Sequence, residues 1–187
     1  LARGRKHTLR VKVLDTTEKS WQPRGKQISE PYGVWYTAVT GIWQTVWLEP
    51  VSETYVKSYL AVPDIDRSEL KVTVDAQLKE GEVCKVTLID DGKIVATGDG
   101  LETVLKVPEM KLWSPESPIL YDIDIMIANK GKAVDNVKAY TAMRKISHAK
   151  DESGFYRIYL NNEPVFQFGT LDQGWWPDGL YTAPSDE

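Results

Sequence analysis

LWSPESPILYDIDIMI, residues 112–127, decides the fold of this chain. Pro115 and Pro118 lack a backbone donor and hold φ near −65°, so the first half of the stretch breaks and re-aims the chain. A strand follows in which Tyr121, Ile123, Ile125 and Ile127 point one way while Asp122 and Asp124 point the other. A period of two with acids on one face predicts one buried and one wetted side. Trp113, just ahead of the strand, is a large apolar plate suited to closing the end of a sandwich core.

Working outward, the same rhythm recurs on both sides. Leu70, Val72, Val74, Ala76 and Leu78 alternate with Lys71, Thr73, Asp75, Gln77 and Lys79. A slip of one residue would turn all five apolar side chains to water, so the register is fixed. Val56, Ser58, Leu60 and Val62 are read as one face of the strand before it, ending at Pro63-Asp64. Cys84, Val86 and Leu88 continue the alternation, and Asp91-Gly92 signals a two-residue hairpin. Thr103, Leu105 and Val107 form a further strand face, and Asn129-Lys130-Gly131 turns the chain into a long strand over residues 133–146. About seven strands between residues 51 and 147, with turns every 8–12 residues and no helical period, predict an immunoglobulin-like β-sandwich.

The flanks read differently. Residues 8–14 alternate with Leu9, Val11 and Val13 on one face, and residues 15–33 form a long polar loop containing WQPRGKQ. Residues 34–48 carry bulk on both faces, which predicts a strand buried on two sides or bordering another domain. FYRIYLNNEPVFQFG reads as a hairpin turning at Asn161-Asn162, and LDQGWWPDG follows it as an aromatic, acidic loop.

Composition excludes several classes. The 187 residues are 42% hydrophobic and 27% charged, with net charge −4, which fits a globular protein and not a nucleic-acid binder. No apolar run approaches the roughly 20 residues of a membrane helix, and LARGRKHTLR lacks the apolar centre of a signal peptide. The chain begins with Leu and not Met, which is read as a piece of something longer; its compartment stays open, periplasmic and secreted included. Cys84 is the single cysteine, so neither an intrachain disulfide nor a cysteine-rich zinc site can form. His7 and His148 stand far apart without supporting ligands, and no metal site is expected.

Three stretches in one order carry a family resemblance. TGIWQTVWLEPV (residues 40–51), LWSPESPILY (residues 112–121) and GFYRIYLNNEPVFQFG (residues 154–169) resemble successive landmarks of glycoside hydrolase family 2, the β-galactosidases, β-glucuronidases and β-mannosidases. The resemblance implies an all-β internal fragment: residues 1–50 as the last part of a sugar-binding jelly roll, 51–147 as the immunoglobulin-like sandwich, and 148–187 as linker and first strand of a catalytic (β/α)8 barrel. It further implies a parent enzyme that hydrolyses β-glycosidic bonds, in particular β-galactosides, with retention, by two glutamates about 5 Å apart. Both would lie beyond Glu187, so no catalytic residue is assigned here and the chain by itself is expected to be inert. The sandwich would position the sugar-binding domain against the barrel. No cofactor is implied, the partner is a carbohydrate, and neither nucleic acid nor membrane is expected. Unpartnered strands in residues 1–50 predict self-association, as a dimer or a strand swap, or else disorder of that region.

Candidate substrate contacts come from two loops. Arg24, Lys26 and Gln27 can donate to sugar hydroxyls or a carboxylate, Asp172 and Asp178 flank the barrel entry, and Gln173 is a further candidate contact beside Asp172. Trp175 and Trp176 suit a sugar-stacking subsite or interdomain packing, and Trp21, Trp35, Trp43 and Trp47 suit core or interface plates. LDQGWWPDG stands where many β-galactosidases carry an Asn-Arg-His-Glu run. A stand-alone carbohydrate-binding or adhesion sandwich, and a plain spacer domain, are the competing classes. Residues 154–187 discriminate, because a binding module has no use for a barrel lead-in.

Overall fold

A computed structural model describes residues 4, 6–42, 44–174, 176 and 182–185. Two compact units are present: residues 49–169, and residues 1–48 together with 170–187. Among the described residues there are twelve strands and no helix. The short strands β1 (Gln27–Ile28) and β2 (Tyr36–Thr37) belong to the second unit.

The larger unit contains the sandwich. One sheet is built from β3 (Ser58–Asp64), β4 (Glu69–Asp75) and β7 (Glu102–Lys106), in the order β3-β4-β7. The other has the order β6-β5-β8-β9, from β5 (Glu82–Asp90), β6 (Lys93–Asp99), β8 (Tyr121–Asn129) and β9 (Lys132–Thr141). All pairings are antiparallel. Seven strands, as the turn spacing predicts, thus divide three and four between two sheets.

The core faces predicted for β4, β5, β7 and β8 are the observed ones. Leu70, Val72 and Val74 from β4, Cys84, Val86 and Leu88 from β5, Leu105 from β7, and Tyr121, Ile123, Ile125 and Ile127 from β8 are all buried in one cluster. Each fully buried large aliphatic contributes roughly 1.5–3 kcal/mol. Cys84 is free and wholly buried, so burial pushes its thiol pKa up, with the charge of Asp99 adding to the effect, and it acts as a small hydrophobe. Tyr121 is 1% exposed, and its hydroxyl accepts the backbone N–H of Lys111 at 2.7 Å, so the one polar atom of this core tyrosine is satisfied.

Turn chemistry fits the hairpins. Asp91 and Gly92 take φ of 48° and 74° between β5 and β6, and Lys130 and Gly131 take 47° and 79° between β8 and β9. Two successive positive φ values match the right-handed twist of the flanking strands.

Several expectations need correction. Residues 8–14 form no strand, and Leu9, Val11 and Val13 are exposed; alternation alone cannot make a strand without a partner to accept its ladder. Among the described residues of 34–48 the only strand is the two-residue β2, and Val34, Ile42, Val46 and Leu48 are exposed. Leu60 and Val62 face outward, because pairing sets Tyr59, Ala61 and Pro63 opposite the buried Val74, Val72 and Leu70. Val56 does pack on the core, but it precedes β3, and the parity changes between the two.

The long strand of residues 133–146 is two elements. β9 ends at Thr141, the buried Met143 bridges to Leu112, and a new strand, β10 (Ile146–Lys150), begins. It pairs with β11 (Tyr156–Leu160), which pairs with β12 (Glu163–Val165), giving a three-stranded sheet of order β10-β11-β12. The predicted turn at Asn161-Asn162 joins β11 to β12, with φ of 53° and 69°. Asn161 clasps three segments: its N–H donates to the Lys145 carbonyl at 2.8 Å, its Oδ1 accepts the Lys145 N–H at 3.0 Å, and its Nδ2 donates to the Trp113 carbonyl at 2.9 Å. Trp113 in turn lies beneath the Arg144 guanidinium, 4.7 Å from ring centroid to cation.

Gly98 shows how closely the sheets meet. A Cβ at this position would sit 2.3 Å from Cγ2 of Thr103 and 3.2 Å from Cδ2 of Leu105. Gly98→Ala is therefore expected to destabilise the sandwich by about 1–3 kcal/mol in urea unfolding. Adding Thr103→Ser, which removes that Cγ2, should recover part of the loss. An unchanged midpoint for Gly98→Ala would mean that β6 and β7 are not this close.

Candidate functional site

The site lies in the smaller unit, and two turns build it. In Arg24-Gly25-Lys26-Gln27 the Gln27 N–H donates to the Arg24 carbonyl at 3.3 Å, and Gly25 supplies φ of 60°. Lys26 is thereby placed just before β1, and its carbonyl accepts the Tyr36 N–H at 2.8 Å as β1 and β2 run parallel. The second turn is Asp172-Gln173-Gly174, closed by the Gly174 N–H donating to Oδ1 of Asp172 at 2.8 Å. The Tyr36 hydroxyl donates to Oε1 of Gln173 and so joins the two turns.

Together they border an open cavity of about 490 Å³, lined by Lys26, Tyr36, Leu171, Asp172, Gln173, Gly174 and Trp176. That volume lies within the roughly 300–1,000 Å³ typical of small-molecule sites. An indole, an aliphatic side chain, a phenol, an amide and one charge of each sign make a surface that can stack on a ring and hydrogen-bond hydroxyls. Four sequence-predicted residues, Lys26, Asp172, Gln173 and Trp176, meet here across more than 140 positions of chain.

Arg24 and Gln27 do not line this cavity. They line a smaller one of about 160 Å³ with Leu14, Asp15, Thr17, Gln22 and Pro23. Gln27 is a brace: its Oε1 accepts the Val39 N–H at 2.8 Å and its Nε2 donates to the Arg24 carbonyl at 3.3 Å. The Arg24 guanidinium sits 5.7 Å from the centre of the Trp35 ring. Trp175, Trp43 and Asp178 lie outside the described residues. Trp21 is 97% exposed and Trp47 74% exposed, so neither is a core plate of its own unit, whereas Trp35 is half-buried.

Sequence reasoning missed Tyr36 and Asp15. A parallel pairing across nine residues leaves no local signal, so nothing marked Tyr36 as Lys26's neighbour. Asp15 organises the loop that supports the lysine turn. Its Oδ1 accepts the Thr17 N–H at 2.7 Å and Nε2 of Gln22 at 2.6 Å, and its Oδ2 accepts the Thr40 hydroxyl at 2.8 Å. The Thr17 N–H first, then the Thr40 hydroxyl, hold the Asp15 carboxyl below its ordinary value.

The chain is thus an all-β protein with a two-sheet sandwich and, in a separate unit, a ring-sized cavity of mixed polarity. The pattern of the family described as Glycosyl hydrolases family 2 matches residues 46–144, and the chain belongs to that family. Among similar proteins, a candidate beta-glucuronidase of Formosa agariphila is 32% identical over 83% of this chain and 16% of that protein. The beta-glucuronidase of Rattus norvegicus is 27% identical over 82% of this chain and 24% of its own length. The beta-galactosidase of Thermoanaerobacter pseudethanolicus is 22% identical over 83% and 21%. A solved beta-glucuronidase of Ruminococcus gnavus superposes with a TM-score of 0.53 at 27% identity, over 62% of this chain and 20% of that one. The chain therefore spans about a sixth to a quarter of the length of these relatives.

A depressed carboxyl pKa stabilises the fold above its unfolded value, and that contribution is lost as pH falls through the folded value. Asp15 has an ordinary value of 3.8, so its loop should be insensitive to pH from 7 to 5 and loosen below about 4. The Thr17 amide, followed by NMR, should lose protection in that acid range, and Asp15→Asn should remove the step. Protection that persists unchanged to pH 2 would contradict the role given to Asp15.

Proposed function

We propose that this chain is about a fifth of a glycosidase that cleaves β-glycosidic bonds with retention. The support is the family match over residues 46–144 together with the sandwich it covers. In this reading residues 51–147 are a non-catalytic spacer that positions a sugar-binding domain ending near residue 50 against a barrel entered at residues 148–187. The acid/base and nucleophile are two glutamates outside this chain, about 5 Å apart as a covalent glycosyl-enzyme intermediate requires. The cavity around Lys26 and Trp176 is a subsite for the carbohydrate: Trp176 offers a ring face, and Asp172 and Gln173 offer partners for hydroxyls. Sugar preference is the finer question. Two of the three curated relatives named above are glucuronidases and one a galactosidase, which favours a β-glucuronide and leaves the β-galactoside expected from sequence as the competing substrate.

The whole enzyme is expected to release p-nitrophenol from aryl β-D-glucuronide faster than from aryl β-D-galactoside. Proton NMR of the first-formed sugar should give the β-anomer. The 187-residue chain alone should give no turnover above background. First release of the α-anomer would overturn the retaining mechanism. Turnover by the chain alone, abolished by mutating one of its acids, would overturn the assignment of catalysis elsewhere.

A further inference from the structure

The parity of β3 is not explained by the sandwich core. Pairing sets Tyr59, Ala61 and Pro63 opposite the buried Val74, Val72 and Leu70, while Leu60 and Val62 are 62% and 48% exposed on the outer face. Val104 of β7, also exposed, lies in the same row, across Lys71 from Val62. β3 is in addition an open edge. On one side of the sandwich β6 and β7 close against each other at Gly98 and Thr103. On the other, the outer edge of β9 is partly covered: the Ser52 hydroxyl donates to the Val134 carbonyl at 2.7 Å, and the Val56 N–H donates to Oδ2 of Asp135 at 2.8 Å. Among the described residues β3 pairs with β4 alone. An uncovered edge with apolar side chains beside it is a template for another strand.

A second β3 fits this edge. The strand Ser58-Tyr59-Leu60-Ala61-Val62-Pro63-Asp64 is self-complementary about Ala61. Two copies run antiparallel, with Ala61 opposite Ala61, set Leu60 opposite Val62, Tyr59 opposite Pro63, and the Ser58 hydroxyl opposite the Asp64 carboxylate. Proline in a sheet turns its missing donor to the free side, so the outer edge presents Tyr59, Ala61 and the Pro63 carbonyl. A pair of bonds at Ala61 and a single bond at each Tyr59–Pro63 pair make about four in all. We propose that β3 is the contact between two copies of this chain, joined edge to edge across a two-fold axis at Ala61. Both copies use the same surface, so the contact closes at a dimer. Leu60 and Val62 of both copies then meet in one apolar strip, which accounts for the larger side chains of β3 pointing away from their own core. An edge of seven residues buries less than the roughly 1,200 Å² of a standard stable interface, so the dimer is weak and concentration-dependent.

Sedimentation equilibrium of the 187-residue chain up to about 1 mM should show a monomer–dimer equilibrium. Leu60→Lys and Val62→Lys should each raise the dissociation constant about tenfold or more while circular dichroism stays unchanged. Ile94→Lys, at a comparably exposed position on β6, should leave it unaltered. Cross-linking reads the register, with Cys84 silent because it is buried. Position 60 of one copy faces position 62 of the other with Cα atoms about 4.5–5.5 Å apart, inside disulfide range, and meets its own counterpart only on the diagonal. A mixture of Leu60→Cys and Val62→Cys should therefore form a disulfide-linked dimer about tenfold faster than either variant alone. A chain that stays monomeric to about 1 mM would overturn the inference and leave Leu60 and Val62 to a different partner. A dimer that neither lysine variant weakens would overturn it too, by placing the contact elsewhere, as in residues 1–50. Equal cross-linking rates in the mixture and in the single variants would do the same for the two-fold axis at Ala61.

Discussion

The pairing of β5 with β8 is the constraint on which the larger unit depends. Cys84, Val86 and Leu88 lie opposite Ile127, Ile125 and Ile123, and all six are 1% exposed or less. Slipping either strand by one residue would expose three of these side chains and bury Lys85, Asp122 or Asp124 in their stead. The remaining strands are placed by this pair: β6 and β9 on its two edges, β4 and β7 against its buried face. The closeness of Gly98 to Thr103 follows from the same arrangement, since a side chain there would separate the sheets.

The third sheet is tied to the sandwich by polar contacts where the core supplies few. Asn161 bonds to Lys145 and Trp113, Asn162 donates to Asp66 at 2.8 Å, and Lys145 pairs with the same Asp66. The Lys145 ammonium first, then Asn162, hold the Asp66 carboxyl below its ordinary value. The segment that opens the fold, with Pro115 and Pro118 breaking the strand pattern, therefore also presents the Trp113 carbonyl that seats the later hairpin. Compactness accordingly extends through residue 169, past the sandwich boundary at 147 drawn from sequence.

Legibility in the sequence followed the strength of the local rule. Period two over β4, β5, β7 and β8 identified the core residue by residue, and Asp91-Gly92 and Asn161-Asn162 located their turns. The same rule failed at Leu9, Val11 and Val13, because alternation describes a strand's faces and says nothing about whether a neighbour exists to pair with it. At Leu60 and Val62 it failed by parity, since the apolar residues of β3 are on the outer face and the inner one is Tyr59, Ala61 and Pro63. The cavity was half legible. Residue chemistry pointed to Lys26, Asp172, Gln173 and Trp176, but only the fold could bring Tyr36 between them and assign Gln27 to bracing the loop.

Native-state hydrogen exchange on the 187-residue chain tests this account most directly. The amides of Val86 in β5 and Ile125 in β8 should open only through global unfolding, with equal free energies that match the value from denaturant. Amides of residues 8–14 should exchange freely. Protection of Val86 well below that of the edge strands, or slow exchange across residues 8–14, would contradict a fold organised on the β5–β8 core.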